Sequence, residues 1–304
     1  MQSDSLFPRR LKRGDRIRFL SPASTPDSAD ALARAQALHD LGFEVDFGQH
    51  AFTKYGPFAG TDEQRLDDLN TALRDPDVRA IFTTRGGKGS YRVADQLDFD
   101  AVRRDPKPLV GFSDITALHL SLFRKCRLVG IHGNLFGDGQ GGVDRENCAM
   151  LMRILSEHGS LDYQPRPEES TSVLTTKGFA EGVLIGGNLD MIATGAGWAL
   201  PDLEGALLLI EAVECQPGRI DRAFALLRKG GHLRGLAGIV VGQFTTVEPG
   251  QMPRILDIVG DNLNGIGVPV IGGLPFGHGV RRLSTPIGTR ALFDADRAIL
   301  TVTY

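Results

Sequence analysis

The chain has 304 residues, of which 41% are hydrophobic and 23% are charged, and its formal net charge is −3. This composition is typical of a globular protein with two domains or one large one. The small net charge and the lack of a Lys/Arg run give no support to a nucleic-acid or membrane partner. No apolar run approaches the ~18 residues that a membrane span requires.

The cysteines and the N-terminus bear on localisation. Cys126, Cys148 and Cys215 lack C-x-x-C spacing, which favours reduced thiols over disulfides or a zinc site. The opening stretch M-Q-S-D-S-L-F-P-R-R has no apolar core and predicts no secretory signal. We therefore expect a cytoplasmic protein.

The first half of the chain alternates strand and helix patterns. Strands are predicted in R-I-R-F-L, F-E-V-D-F, V-R-A-I-F-T-T and K-P-L-V-G-F. Helices are predicted in A-D-A-L-A-R-A-Q-A-L-H-D-L, in the segment that Thr61 caps, and in S-Y-R-V-A-D-Q-L. Repeated β-α units of this length predict an α/β fold, with a mainly parallel sheet covered by helices on both faces.

The pattern changes after a polar stretch over residues 159–175, which contains two closely spaced prolines. We assign 161–175 to a linker, 1–160 to an N-terminal domain and 176–304 to a C-terminal domain. The last segment carries short strands between glycines, among them G-A-L-L-L-I-E and G-I-V-V-G-Q-F, and two clear helices. This pattern predicts a β-rich α+β domain.

Ser113 stands where an apolar strand changes into a helix, in L-V-G-F-S-D-I-T-A-L. One interpretation is a helix N-cap, whose hydroxyl accepts from a following N–H. The other is a nucleophile on a sharp turn, with amide groups beside it for an oxyanion. Ile115 replaces the second glycine of G-x-S-x-G, so a standard α/β-hydrolase site is not predicted.

A serine nucleophile needs a base and a group that orients the base. Of the histidines, His278 in P-F-G-H-G is the best candidate, since glycines give its loop backbone freedom. His132 follows a strand and could line a pocket, whereas His119 is more typical of a helix residue that is either packed or exposed. Glu211 follows five apolar residues, where burial demands a partner. That partner could instead be Arg219 or Arg222, although Glu214 suits an arginine better.

A glycine-rich turn, T-T-R-G-G-K-G-S, follows another strand at residues 83–90. It could cradle a phosphate, but it matches neither the P-loop nor the dinucleotide-binding spacing. Its alternative use is to supply a backbone N–H beside Ser113. A binding module for a nucleotide or sugar therefore stays open beside an enzyme.

Together these segments resemble the serine-type LD-carboxypeptidases, which include murein tetrapeptide carboxypeptidases and microcin-immunity hydrolases. The matching blocks occur in family order from about residue 14 to the end. They are R-G-G (85–87), G-F-S-D-I-T-A-L (111–118), G-I-H-G (130–133), G-G-N-L (186–189), L-I-E-A-V-E with P-G-R-I-D-R (209–222) and P-F-G-H-G (275–279).

The resemblance implies a Rossmann-like N-terminal domain, a smaller β-rich C-terminal domain and an active site in the cleft between them. It implies a triad of Ser113, Glu211 and His278, without metal or cofactor. The expected oxyanion donors are the N–H groups of Asp114 and of Gly87, with Gly86 as the alternative. Expected substrate-binding residues are Arg85, Lys88, His132 and Asn188.

The implied reaction removes a C-terminal D-amino acid, D-Ala, from murein tetrapeptides in cell-wall recycling, and a homodimer is expected. The alternative is an amidase of the microcin-immunity type that cleaves aminoacyl- or peptidyl-nucleotides. Ala212 replaces an acidic residue of many members, and Lys88 replaces an aromatic one, which leaves the substrate open. The cation that reads a terminal carboxylate is also open among Arg85, Lys88, Arg281 and Arg282.

Overall fold

The structure is a computed structural model that describes residues 5–134 and 144–304. The strands are β1 (Arg16–Leu20), β2 (Glu44–Phe47), β3 (Val78–Thr83), β4 (Leu109–Gly111), β5 (Gly130–His132), β6 (Ser160–Tyr163), β7 (Phe179–Asn188), β8 (Leu207–Ala212), β9 (Gly238–Phe244), β10 (Val270–Ile271), β11 (Thr285–Ile287), β12 (Thr289–Asp294) and β13 (Ile299–Thr303). The helices are α1 (Ser28–Asp40), α2 (Asp62–Arg74), α3 (Phe99–Arg104), α4 (Thr116–Cys126), α5 (Arg145–Ser156), α6 (Leu189–Thr194), α7 (Pro217–Lys229) and α8 (Met252–Asn264).

The first sheet has the strand order β11-β5-β4-β3-β1-β2. Its strands from β2 to β5 are parallel, as the alternating pattern predicts, while β11 pairs antiparallel with β5. Thr61 caps α2 through a capping box, as expected from the sequence. Among the described helices, none has the length and apolar character needed to cross a membrane.

The second sheet has the strand order β10-β9-β8-β7-β12-β13-β6. Strands β7 to β10 are parallel, and β12, β13 and β6 extend the sheet in antiparallel fashion. The chain is therefore an α/β protein built on two sheets that both contain parallel strands. The long parallel part of this second sheet was not expected from its short, glycine-bounded segments.

Two strands join sheets that their sequence positions did not predict. Strand β6 lies at the start of the stretch predicted as a linker, yet it pairs with β13 and buries Leu161 and Tyr163. Strand β11 comes from the C-terminal part of the chain and completes the first sheet. Both are short, and their pairing partners lie far away in the sequence, so no local pattern marks them.

The helix predicted in S-Y-R-V-A-D-Q-L is wrong, because only a 3₁₀ turn forms, at Ser90–Arg92. The backbone N–H of Ser90 donates to Asp114 Oδ2 at 2.7 Å, and the Ser90 hydroxyl donates to the Asp114 carbonyl at 2.5 Å. These bonds attach the turn to the residue after Ser113. The next helix, α3, begins only at Phe99, after its cap at Asp98.

Helix α4 lies between the two sheets and is apolar on several faces, as a helix enclosed by its neighbours must be. Leu118 and Leu122 pack with the first sheet and its helices, whereas Leu120 and Phe123 pack with the second sheet and α6 to α8. At its first residue, the Thr116 hydroxyl accepts a 3.0 Å hydrogen bond from the backbone N–H of Asn188. One bond thus connects the start of α4 to the end of β7.

We predict that Thr116→Val lowers the free energy of unfolding by about 1–3 kcal/mol, because the buried Asn188 N–H loses its acceptor while the side-chain shape is retained. Denaturant unfolding measures the change. Thr71→Val, at an exposed position of α2, is the matched control and should leave stability nearly unchanged. Equal stability of both variants would contradict a structural role for this bond.

Candidate active site

The backbone at Ser113 adopts a conformation that few residues with side chains accept. Phe112 is extended, and Ser113 follows with a φ of 64°, in the left-handed region. A 3₁₀ turn over Ser113–Ile115 then leads into α4, and no side chain caps either helix. The N-cap interpretation of Ser113 is therefore wrong. Such local strain is typical of functional sites and matches the sharp turn of a nucleophile.

Two glycines let neighbouring strands approach this turn. A Cβ added to Gly86 would lie 2.8 Å from the Cβ of Ser113 and 3.2 Å from the Phe112 carbonyl oxygen. A Cβ added to Gly111 would lie 2.4 Å from the Thr83 hydroxyl oxygen. The R-G-G turn after β3 is thus in direct contact with Ser113, as one of its two interpretations predicted.

His278 and Glu211 form a hydrogen-bonded pair. Nδ1 of His278 lies 2.7 Å from Oε2 of Glu211, whose side chain is 0% exposed. Because an ionised carboxylate only accepts, Nδ1 is the donor, which leaves Nε2 for another group. Gly277 permits the approach: its φ is 127°, and an added Cβ would lie 3.0 Å from Oε2.

Two opposing effects act on the Glu211 carboxyl group. Burial raises its pKa, but the charge and hydrogen bond of His278 lower it, with further help from His132 and Asn188. The net result is a lowered pKa, so the group is ionised at neutral pH. Its second oxygen, Oε1, has no hydrogen-bond partner among the described residues.

The alternative partner that the sequence left open for Glu211 is occupied elsewhere. Arg219 lies 2.7 Å from Asp190 and 3.9 Å from Glu214. Glu214 is therefore the arginine's neighbour, as expected, but the closer contact with Asp190 was missed. Asp190 lies in the first turn of α6, and nothing in its local sequence marks it as a site residue.

The ring of Phe112 connects Ser113 to the base from the other sheet. Its centroid lies 4.9 Å from that of His278 and 6.1 Å from that of His132. The Arg282 guanidinium lies over the same ring, 5.3 Å from its centre. The residue before Ser113 therefore packs on the histidine loop across the junction between the sheets.

These groups open into a cleft of about 940 Å³. Its walls include most of the predicted site residues: Arg85, Gly86, Gly87, Lys88, Ser113, Asp114, Asn188, His278 and Arg282. Glu211 is fully buried beside His278. Arg34, Asp190 and Ser24 also line the cleft and were missed, because their positions depend on tertiary contacts.

The structure does not bring His132 to this cleft. Its side chain is 1% exposed, and neither ring nitrogen has a partner among the described residues. Burial lowers the pKa of His132 to about 4, so the ring is neutral at pH 7. His119, which the sequence left as either packed or exposed, is buried, and its Nε2 lies 2.9 Å from the Gly111 carbonyl oxygen.

One group of side chains in the described residues could hold a metal ion: His50, Asp67 and Asp68. These residues do not line the cleft. Asp68 already accepts from the His50 backbone N–H, at 3.0 and 3.2 Å. The group therefore adds nothing to the chemistry of the cleft.

Comparison with known proteins shows which family has sequences like that of this chain. Residues 17–133 match the N-terminal domain of the LD-carboxypeptidases, and residues 181–293 match their C-terminal domain. The murein tetrapeptide carboxypeptidase of Pseudomonas aeruginosa is 32% identical over 294 residues, covering 93% of this chain and 94% of that protein.

The chain belongs to the LD-carboxypeptidase family. It is a serine-type carboxypeptidase. The microcin C7 self-immunity protein MccF of Escherichia coli, 26% identical over 100% of this chain and 97% of its own, is also similar. The crystal structure of an MccF-like protein from Bacillus anthracis superposes with a TM-score of 0.87 at 26% identity, covering 99% of this chain and 100% of that one.

In this LD-carboxypeptidase, we predict that Gly86→Ala lowers kcat about 100-fold, since the new methyl group must displace Ser113 and a shift of ~1 Å can cost that much. Steady-state peptide cleavage measures the loss, and thermal unfolding checks the fold. Gly260→Ala is the control: it lies in α8, where an added Cβ meets only Leu174 at 3.6 Å. Full activity of Gly86→Ala would contradict the close approach.

Proposed function

We propose that Ser113, Glu211 and His278 form a catalytic triad that removes the C-terminal D-Ala from murein tetrapeptides in cell-wall recycling. The observation that carries the triad is the buried Glu211–His278 pair, whose histidine faces the same cleft as Ser113. A histidine oriented through Nδ1 presents Nε2 to a nucleophile, which is the arrangement that serine hydrolysis requires.

In the proposed mechanism, His278 Nε2 takes the proton of Ser113 as Oγ attacks the scissile carbonyl carbon. The same proton then passes to the leaving amine as the C–N bond breaks, and an acyl-enzyme remains. Water, activated by His278, hydrolyses the acyl-enzyme. Glu211 stays ionised throughout and stabilises the imidazolium form.

Backbone N–H groups are the proposed oxyanion donors. Asp114 lies in the first turn of the 3₁₀ helix, where N–H groups have no intrahelical acceptor. The second donor is the N–H of Gly87, with that of Gly86 as the alternative. The contact of the R-G-G turn with Ser113 supports a donor from this turn.

The proposed domains, 1–160 and 176–304 with a linker at 161–175, divide the triad between them. Ser113 comes from the first domain, and Glu211 and His278 come from the second. Arg85, Lys88 and Asn188 line the cleft and are proposed to contact the peptide. A cytoplasmic location and a homodimer remain predictions. Light scattering on the purified protein would test the homodimer.

We predict that Ser113→Ala lowers kcat at least ~1,000-fold while the melting temperature stays near that of the wild type. The hydroxyl caps no helix, so its loss removes chemistry rather than stability. Ser156→Ala, at an exposed position at the end of α5, serves as the matched control. Retained cleavage by Ser113→Ala would exclude this serine as the nucleophile.

A second candidate, cleavage of aminoacyl- or peptidyl-nucleotides, is favoured by the similarity to MccF and to the MccF-like fold. We predict that mass spectrometry detects loss of D-Ala from murein tetrapeptide and not release of a nucleotide from an aminoacyl-nucleotide. The reverse result would establish the amidase. If both substrates stayed intact while still binding, a binding module would be the better description.

A further inference from the structure

One wall of the cleft carries two arginine side chains from different elements. Arg34 lies on α1, and Arg85 follows β3, directly after Thr84. Nη1 of Arg34 donates a 2.6 Å hydrogen bond to the carbonyl oxygen of Thr84. Arg34 is therefore anchored on the residue before Arg85, whose own Nη1 lies 3.5 Å from the Thr25 carbonyl oxygen, and both side chains line the cleft.

The arginines are close enough to affect one another. Burial lowers the pKa of Arg34, the positive charge of Arg85 lowers it further, and Asp30 opposes both effects. Placing like charges together is unfavourable unless an anion joins them. Bidentate pairing with a carboxylate or phosphate is the usual function of arginines at such sites.

The pair also lies next to the nucleophile. Gly86 follows Arg85, and its Cα is close enough to Ser113 that an added Cβ would overlap the serine. The turn is held in place because the Ser24 N–H donates to the Gly86 carbonyl at 3.3 Å, while the Lys88 N–H donates to the Ser24 hydroxyl at 3.1 Å. The backbone segment that carries Arg85 and anchors Arg34 thus reaches the nucleophile through Gly86.

Other charged groups at the cleft have different contacts. Arg219 is paired with Asp190, and Arg282 lies over Phe112 on the histidine side. Arg281 does not line the cleft. Asp27 caps α1 by accepting from two backbone N–H groups, so it is committed to the helix. Asp30, one turn before Arg34, lines the same wall and raises the pKa of Arg34.

We propose that Arg34 and Arg85 together form the subsite for the C-terminal carboxylate of the substrate. The proposal rests on the proposed carboxypeptidase function. In a carboxypeptidase the terminal carboxylate belongs to the residue that leaves, so its binding group must adjoin the nucleophile. The R-G-G turn meets this requirement with one cation in the turn itself and a second anchored on it.

The test compares murein tetrapeptide with its C-terminal amide, using the wild type, Arg34→Met, Arg85→Met and the double variant. Each single change should lower kcat/KM for the acid about 10- to 100-fold, as expected for loss of a charge-assisted hydrogen bond. The wild type should cleave the amide poorly, and the double variant should cleave it at the same poor rate. Arg254→Met, on an exposed position of α8, is the control and should behave as the wild type.

The outcomes separate this subsite from the function on which it rests. If the wild type discriminates against the amide but both variants cleave the acid normally, the arginine assignment is wrong and the carboxypeptidase function stands. If the wild type cleaves acid and amide equally, the carboxylate subsite is refuted while the removal of D-Ala stands, whereas no cleavage of the acid by the wild type would refute the proposed function itself. If the variants lose acid and amide activity to the same extent, the arginines are structural and the subsite is refuted.

Arg34→Met also removes the bond to Thr84, so one further variant, Arg34→Lys, and the separate result for Arg85→Met protect the test from a folding defect. Arg34→Lys retains a positive charge and should recover part of the acid activity. Arg85 is exposed, and its replacement removes no bond shorter than the 3.5 Å contact with the Thr25 carbonyl. Normal acid cleavage by a folded Arg85→Met variant would by itself overturn the paired subsite.

Discussion

The hydrogen bond from the Asn188 N–H to the Thr116 hydroxyl is the contact on which the geometry of the site depends. Thr116 begins the helix that follows the strained turn at Ser113, and Asn188 lies opposite Glu211 in the parallel register of β7 and β8. One bond therefore relates the serine turn to the carboxylate strand. Gly187, with a φ of 134°, makes it possible, since an added Cβ would lie 2.6 Å from the Thr116 oxygen.

Once the two sheets are joined in this way, burial determines the state of the groups between them. A carboxylate with no solvent exposure is costly unless a cation or donor compensates it, and His278 is the donor that reaches Glu211. His132 packs against Phe112, and neither of its ring nitrogens has a hydrogen-bond partner among the described residues, so it makes no hydrogen bond to that carboxylate. The pair is thereby restricted to one histidine, whose free nitrogen is directed away from Glu211.

The sequence predicted the features that depend on neighbours along the chain. Thr61 caps α2 as expected, and the apolar runs form the strands. No local signal connects His278 with Glu211, and their contact was predicted only through the family resemblance. The sequence-based predictions failed where contacts between distant residues determine the structure. Strands β6 and β11 pair with partners that are distant in the sequence. His132 is buried by Phe112 and Gly187. The segment S-Y-R-V-A-D-Q-L forms no α-helix, and Ser90 within it bonds to Asp114 instead. Arg34 had no sequence signal, because its significance arises only when α1 reaches the turn after β3.

The charged side chains along the cleft come from both sheets. Arg34, Arg85 and Lys88 project from helices and turns of the first sheet, whereas Asp190 and Glu214 lie on the side of the second sheet, with Arg219 between them. Each wall also carries groups of the other sign, since Asp27 and Asp30 of α1 line the cleft beside the cations and Arg219 lies beside the carboxylates. Because each wall belongs to a different sheet, the contact between Thr116 and Asn188 relates these charged walls to one another as it relates the members of the proposed triad. The arrangement of charge along the cleft and the geometry of the proposed triad are then two consequences of one junction.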